Sequence, residues 1–165
     1  MKNWSIDSLQ ETWYLVSKLH QGQKYGGDEE GQQIEYINHI GSVVFEIIQS
    51  FEHDKTMNAD FSLTCALLHD TIEDTQITYD KIRDLFGVQV ANAVNALSKD
   101  STIKDKALQM ENRICNLYAP PYYWTLERKT EYHKESILIY DALKEGNTYL
   151  ASRLKEKIDN YKQFF

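Results

Sequence analysis

The stretch Ala66-Leu67-Leu68-His69-Asp70-Thr71-Ile72-Glu73-Asp74-Thr75 runs an apolar helical segment straight into one imidazole and three carboxylates. Asp70 and Asp74 are four residues apart, as are His69 and Glu73, so on a helix end these groups form two adjoining stripes. Carboxylates at a helix C-terminus face the negative end of the macrodipole and repel one another, at a cost of about a few tenths of a kcal/mol per pair on an open surface. Beside a buried helical turn the cost rises steeply, because desolvated carboxylates lose their hydration. A divalent cation removes that penalty and lowers the pKa of its bound water. The plainer reading is a helix fraying into an acidic loop. The chain carries its own control in His53-Asp54, a second HD pair in a polar link beside Lys55 with no apolar run leading in, where His53 is expected to be solvated.

Working outward, the nearest partner for His69 and Asp70 is His39, in Tyr36-Ile37-Asn38-His39-Ile40 at the start of a helical stretch whose apolar stripe it borders. Alone, such a histidine is more often a hydrogen-bonded core residue than a ligand. Together, two imidazoles and a carboxylate suit Mn, Fe or Zn. His20 falls on the apolar face of the first helical stretch, where packing explains it, and His133, between Tyr132 and Lys134, reads as a surface residue.

Around this segment the 3.6-residue apolar periodicity predicts helices over about 5–20, 34–51, 61–68, 78–86, 90–97, 105–117, 125–143 and 149–161. Thr78 and Thr125 are placed to cap two of them, Gly87 and Gly146 to end two, and Pro120-Pro121 to separate two. Four of the seven glycines lie between Gly22 and Gly31, which reads as a loop without the ending of a phosphate-binding loop. No strand-like alternation is visible. The expected fold is all-α, a single compact bundle of about eight helices over residues 1–165.

Composition agrees: 165 residues, 42% apolar and 26% charged, suit one folded domain with a sizeable core. The net charge of −7 argues against extended nucleic acid as a partner, though not against a small anion held by a metal ion or a local basic pocket. Cys65 and Cys115 match no ligand or redox spacing. No apolar run approaches membrane-spanning length and no leader-like segment begins the chain, so a cytoplasmic protein with no membrane partner is expected. The oligomeric state is not legible.

These residues in this order resemble the HD-domain alarmone hydrolases, the Rel/SpoT-like (p)ppGpp hydrolases with their small single-domain relatives. The matching stretches are His20-Gln21-Gly22-Gln23-Lys24, Tyr36-Ile37-Asn38-His39, Ala66 to Thr75, Phe86-Gly87, Ala96-Leu97-Ser98-Lys99, and Asn116-Leu117 through Pro121 and Trp124. The resemblance implies an HD-type fold and a phosphohydrolase that removes pyrophosphate from a guanosine 3′,5′-bis(diphosphate) or a related nucleotide. It implies His39, His69 and Asp70 as metal ligands, with Mn²⁺ the family's usual ion and Fe, Zn or Mg as alternatives. Glu73 and Asp74 would position and activate the attacking water. Lys24 stands near the expected guanine site and Asn116 near the ribose and phosphate, with Lys24, Lys99 and Arg113 as the expected phosphate holders. No synthetase domain is expected.

One motif departs from the family. A fourth ligand, an aspartate in an Ala-Asp-Arg-type run, should precede Asn116. Here Met110-Glu111-Asn112-Arg113-Ile114-Cys115-Asn116 places Asn112 there, with Glu111 as a neighbouring substitute that points about 100° away on an ideal helix. The stretch from Lys99 to Asn116 is also short, so the motif is either substituted or deleted. Two alternatives to the hydrolase therefore stand: a degenerate member that binds a nucleotide or protein without turnover, and a phosphatase for another small phosphate ester.

Overall fold

The computed structural model describes residues 5–98 and 106–165. Within them lie α1 (Ile6–Leu19), β1 (Lys24–Gly26), β2 (Gln33–Glu35), α2 (Ile37–His53), α3 (Ala59–Leu68), α4 (Thr71–Asp74), α5 (Tyr79–Phe86), α6 (Val88–Ser98), α7 (Lys106–Asn116), α8 (Leu126–Leu143) and α9 (Thr148–Tyr161), closed by a 3₁₀ turn at Lys162–Phe164. The helix starts follow local chemistry. The side chains of Ser5, Asn58, Thr78, Thr125 and Asn147 accept hydrogen bonds from backbone N–H groups three residues on, satisfying donors that a helix leaves unpaired. Gly87, at φ +86°, ends α5 in a conformation that side chains disfavour.

The core has two clusters. In one, Val16, Ile40, Val43, Val44, Ile47, Ile82, Ala91 and Val94 pack around α3, whose Cys65–Leu68 turn is buried on every side. In the other, Met110, Ile114 and Leu117 of and after α7 pack with Leu150, Leu154, Ile158 and Tyr161 of α9. Helix α2 touches α3 in the first and α7 and α9 in the second, so it is the strut between them. Arg153 of α9 reinforces that contact through Glu46 of α2, at 2.7 Å.

Three expectations are corrected. The glycine-rich stretch read as a loop contains a small antiparallel hairpin, β1 on β2, with Lys24 opposite Glu35 and Gly26 opposite Gln33. Strands of three residues are too short to show alternation, which is why the pattern was invisible. His133 is not a surface residue: it is buried, its Nε2 3.1 Å from the Ile158 carbonyl. Its charged neighbours Lys134 and Glu131 are exposed, but the helix turns the ring onto α9. His53 is exposed as expected and lies flat on Tyr149 at 4.0 Å. The acidic segment also forms its own turn, α4, rather than the end of α3. Among the described residues no helix is long and apolar enough to cross a membrane.

Replacing a fully buried leucine of α3 should cost far more than replacing an exposed one. Leu67→Ala is expected to lower the unfolding free energy by about 2–5 kcal/mol in urea titration, while Leu138→Ala, on a side chain 70% exposed, should change it by less than about 0.5 kcal/mol.

Candidate metal centre and nucleotide cavity

His39 reaches the site from the first turn of α2, and His69 and Asp70 from the end of α3. The His39 Nε2 and His69 Nε2 atoms are 3.3 Å apart. Asp70 Oδ2 lies 2.8 Å from the His69 nitrogen and 3.5 Å from that of His39. Donor atoms each roughly 2.0–2.2 Å from one cation lie about 2.8–3.6 Å apart for ligand angles between a right angle and the tetrahedral value. All three edges fall within that range. Both imidazoles are buried, 8% and 2% exposed, so their convergence is not a surface accident.

Surrounding groups aim the donors inward. The His69 Nδ1–H donates to the Ala66 carbonyl at 2.7 Å, which leaves the Nε2 lone pair facing the cluster. The Tyr36 hydroxyl donates to Asp70 Oδ2 at 2.7 Å. Burial pushes the Asp70 carboxyl up, but His69, His39 and the Tyr36 hydroxyl outweigh it and hold Asp70 well below the usual carboxylate range. Burial pushes the His69 imidazolium down, yet the Asp70 carboxylate and the Ala66 carbonyl reverse the balance, and its pKa is raised. Tyr36, desolvated and facing Asp70, is raised far above an ordinary phenol and remains a donor.

The cluster opens into a cavity of about 710 Å³ whose wall includes Tyr25, Asp28, Tyr36, His39, Asp70, Glu73, Asp74, Asn112, Cys115, Asn116, Tyr118, Tyr123, Trp124, Arg128 and Tyr132. That volume suits a nucleotide-sized ligand. Glu73 and Asp74 are exposed on this wall, beside the buried triad rather than within it. The loop before α8 closes one side: the Tyr122 N–H donates to the Gly27 carbonyl at 3.0 Å. Tyr123 lies so close to Gly26 that a Cβ there would sit 2.6 Å from its ring. The run Tyr122-Tyr123-Trp124 thus packs on the hairpin while Tyr123 and Trp124 still line the cavity.

The other expected residues divide. Asn112 and Asn116 both reach the cavity wall, one turn apart on α7, with the Asn116 amide donating to Asn112 Oδ1 at 2.6 Å. Among the described residues the triad has no fourth carboxylate. Glu111 falls on α7, but its side chain lies outside the described residues, as does Lys99. Lys24 is not on the cavity wall: it pairs with Glu35 across the hairpin at 3.0 Å. Arg113 is not there either: its guanidinium lies over the Tyr132 ring at 4.2 Å, 3.7 Å from Glu135. Among the described residues the cation that lines the cavity is Arg128, held by Glu131 at 2.9 Å and Glu135 at 3.3 Å. Sequence reasoning missed Arg128, Tyr132 and Tyr36. The signals were present: Arg128 and Tyr132 are four apart on a helix, and Tyr36 precedes His39 by three.

No family model matches the chain. The human guanosine-3′,5′-bis(diphosphate) 3′-pyrophosphohydrolase MESH1 is 30% identical over 170 residues, covering 89% of this chain and 90% of the relative. MESH1 of Danio rerio is 25% identical over 171 residues, covering 90% of this chain and 91% of the relative. An Aquifex aeolicus protein named for the same activity is 34% identical over 107 residues, which is 64% of this chain and 14% of that longer protein. A solved structure described as a metazoan ortholog of SpoT that hydrolyses ppGpp has the same fold, with a TM-score of 0.77 at 21% identity over 96% of this chain and 97% of that one.

Because His69 must shed a proton to bind a cation, affinity should weaken as pH falls. Mn²⁺ titration calorimetry from about pH 8 to about pH 6 is expected to show tighter binding at the upper end with proton release, since the raised His69 value lies above the ordinary imidazole value of about 6.5. A flat profile would contradict the assignment. In the metal-free chain the sign reverses: the stability contributed by protonated His69 is full below the unfolded value and is lost as pH rises through the folded one.

Proposed function

Since this chain belongs to the HD-domain (p)ppGpp hydrolase family, we propose that it is a divalent-metal 3′-pyrophosphohydrolase acting on (p)ppGpp or a closely related nucleotide. The observation that carries this reading is the convergence of His39 Nε2, His69 Nε2 and Asp70 Oδ2 on one point in the same cavity wall as Glu73 and Asp74.

In this reading His39, His69 and Asp70 hold the cation, Mn²⁺ by the family's habit, and a donor set of two imidazoles and one carboxylate fits it. The ion, when bound, supplies a Lewis acid for a phosphoryl oxygen and acidifies a coordinated water. Tyr36 fixes the Asp70 carboxylate so that its free lone pairs remain directed at the site. Glu73 and Asp74, exposed beside the buried triad, orient the attacking water and accept its proton. The bond from phosphorus to the 3′ oxygen breaks, pyrophosphate leaves, and the ribose oxygen is protonated. Arg128, with its guanidinium 5.7 Å from the centre of the Tyr132 ring, takes the phosphate-holding role that the sequence had suggested for Lys24 and Arg113. Asn112 and Asn116 offer amide groups to the ribose or a phosphate oxygen.

The triad has no fourth carboxylate among the described residues, which favours a second reading, a nucleotide-binding member with weak or no turnover. Asn112 offers only a neutral oxygen, and that oxygen already accepts from Asn116. Tight nucleotide binding under saturating Mn²⁺ without pyrophosphate release would select this reading, and turnover would exclude it. Preferential release of phosphate from unrelated esters would select the phosphatase instead.

Glu73→Gln and Asp74→Asn should each lower kcat for pyrophosphate release by about 10²-fold or more, the scale of positioned acid–base catalysis. Elemental analysis should show their metal content unchanged. His69→Ala should lose both metal and turnover.

A further inference from the structure

We propose that Gln23 is a positioning residue for the acidic pair, tying the corner that follows α1 to the turn that carries Glu73 and Asp74; this rests on the catalytic reading of that pair. Gln23 Nε2 donates to the Asp74 backbone carbonyl at 2.6 Å, across 51 residues of sequence. Its Oε1 lies 2.7 Å from His20 Nδ1, and its own carbonyl accepts from the Tyr36 N–H at 2.9 Å. One residue thus touches Asp74 through its side chain and Tyr36, the hydrogen-bond donor to Asp70, through its backbone.

The hydrogen-bond polarity follows from elimination. The Asp74 carbonyl can only accept, so the Gln23 amide nitrogen must face it and the amide oxygen must face His20. His20 therefore donates from Nδ1 to the amide oxygen. The ring is 2% exposed and its Nε2 has no hydrogen-bond partner. Stacking on the Tyr36 ring, at 5.1 Å between centroids and 22° between planes, holds the imidazole in place. His20 thereby orients Gln23.

The turn needs such a tie. Helix α4 has four residues, and its internal bonds from the Asp74 and Thr75 N–H groups use only the carbonyls of Asp70 and Thr71. The Asp74 carbonyl is an orphan of a helix end, and so short a helix cannot hold its own geometry. A displacement of about 1 Å in a catalytic group costs on the order of 10²-fold in rate, so the tie sets turnover rather than binding.

The test uses the metal-loaded protein and guanosine 3′,5′-bis(diphosphate). Gln23→Glu keeps the size and the acceptor for His20 but loses the donor to Asp74; Gln23→Ala loses both. Each is expected to lower kcat about tenfold or more, with KM and bound metal within about twofold. In a Glu73→Gln, Asp74→Asn background the effect of Gln23→Ala should shrink below about threefold, because both of its targets are already disabled. An unchanged kcat, a parallel loss of metal, or a full tenfold effect in that background would overturn the proposal. If the unaltered protein turns over no nucleotide, the catalytic reading fails by itself. Amide hydrogen exchange at residues 71–75 then decides the tie: faster exchange in Gln23→Ala sustains it, and unchanged exchange ends it.

Discussion

Two imidazole nitrogens and a carboxylate oxygen meet inside a wall of aliphatic side chains, and the arrangement of the molecule follows from keeping them there. Unpaired, such groups are expensive to desolvate. Two of them have a fixed polar neighbour outside the cluster, Ala66 for His69 and Tyr36 for Asp70, and the donor atoms of all three lie within hydrogen-bonding or ion-pair distance of one another. The apolar turn Cys65–Leu68 supplies the rigidity. Buried on all sides, it cannot rotate without exposing leucines, so the residue that follows it is delivered to one place.

The site is assembled from elements far apart in sequence, and α2 is the reason that works. It carries His39 at one end, packs on α3 along its length, and meets α7 and α9 on its other side. The two histidines, Asp70 and the asparagines of α7 thus share one strut. The hairpin and the aromatic loop before α8 line the same cavity, locked together where Tyr123 occupies the space that a side chain at position 26 would need.

The cavity is unusual in its charge. Among the described residues its wall carries Asp28, Asp70, Glu73 and Asp74 against Arg128. A metal ion at the triad would be the largest positive charge there and would govern how an anionic ligand enters. Asn112, a neutral amide on the same wall, adds no charge to this balance.

The helices, the buried character of α3, the pairing of His39 with His69-Asp70 and the dismissal of His53 were all legible in the residues themselves. Periodicity and side-chain chemistry are local properties, and an apolar turn running into ionisable groups is a conflict visible without coordinates. What needed the tertiary structure was the direction each side chain takes once elements pack. Lys24 and Arg113 have the right chemistry for phosphate, yet Glu35 and the Tyr132 ring claim them, while Arg128 faces the cavity. His133 sits among charges in sequence and is buried in space. Gln23 and Tyr36 are ordinary residues until partners dozens of positions away come within hydrogen-bonding distance. Sequence determines which groups are available and which face of a helix is apolar; only packing decides which neighbour satisfies each polar atom, because that choice depends on long-range contacts that no local pattern encodes.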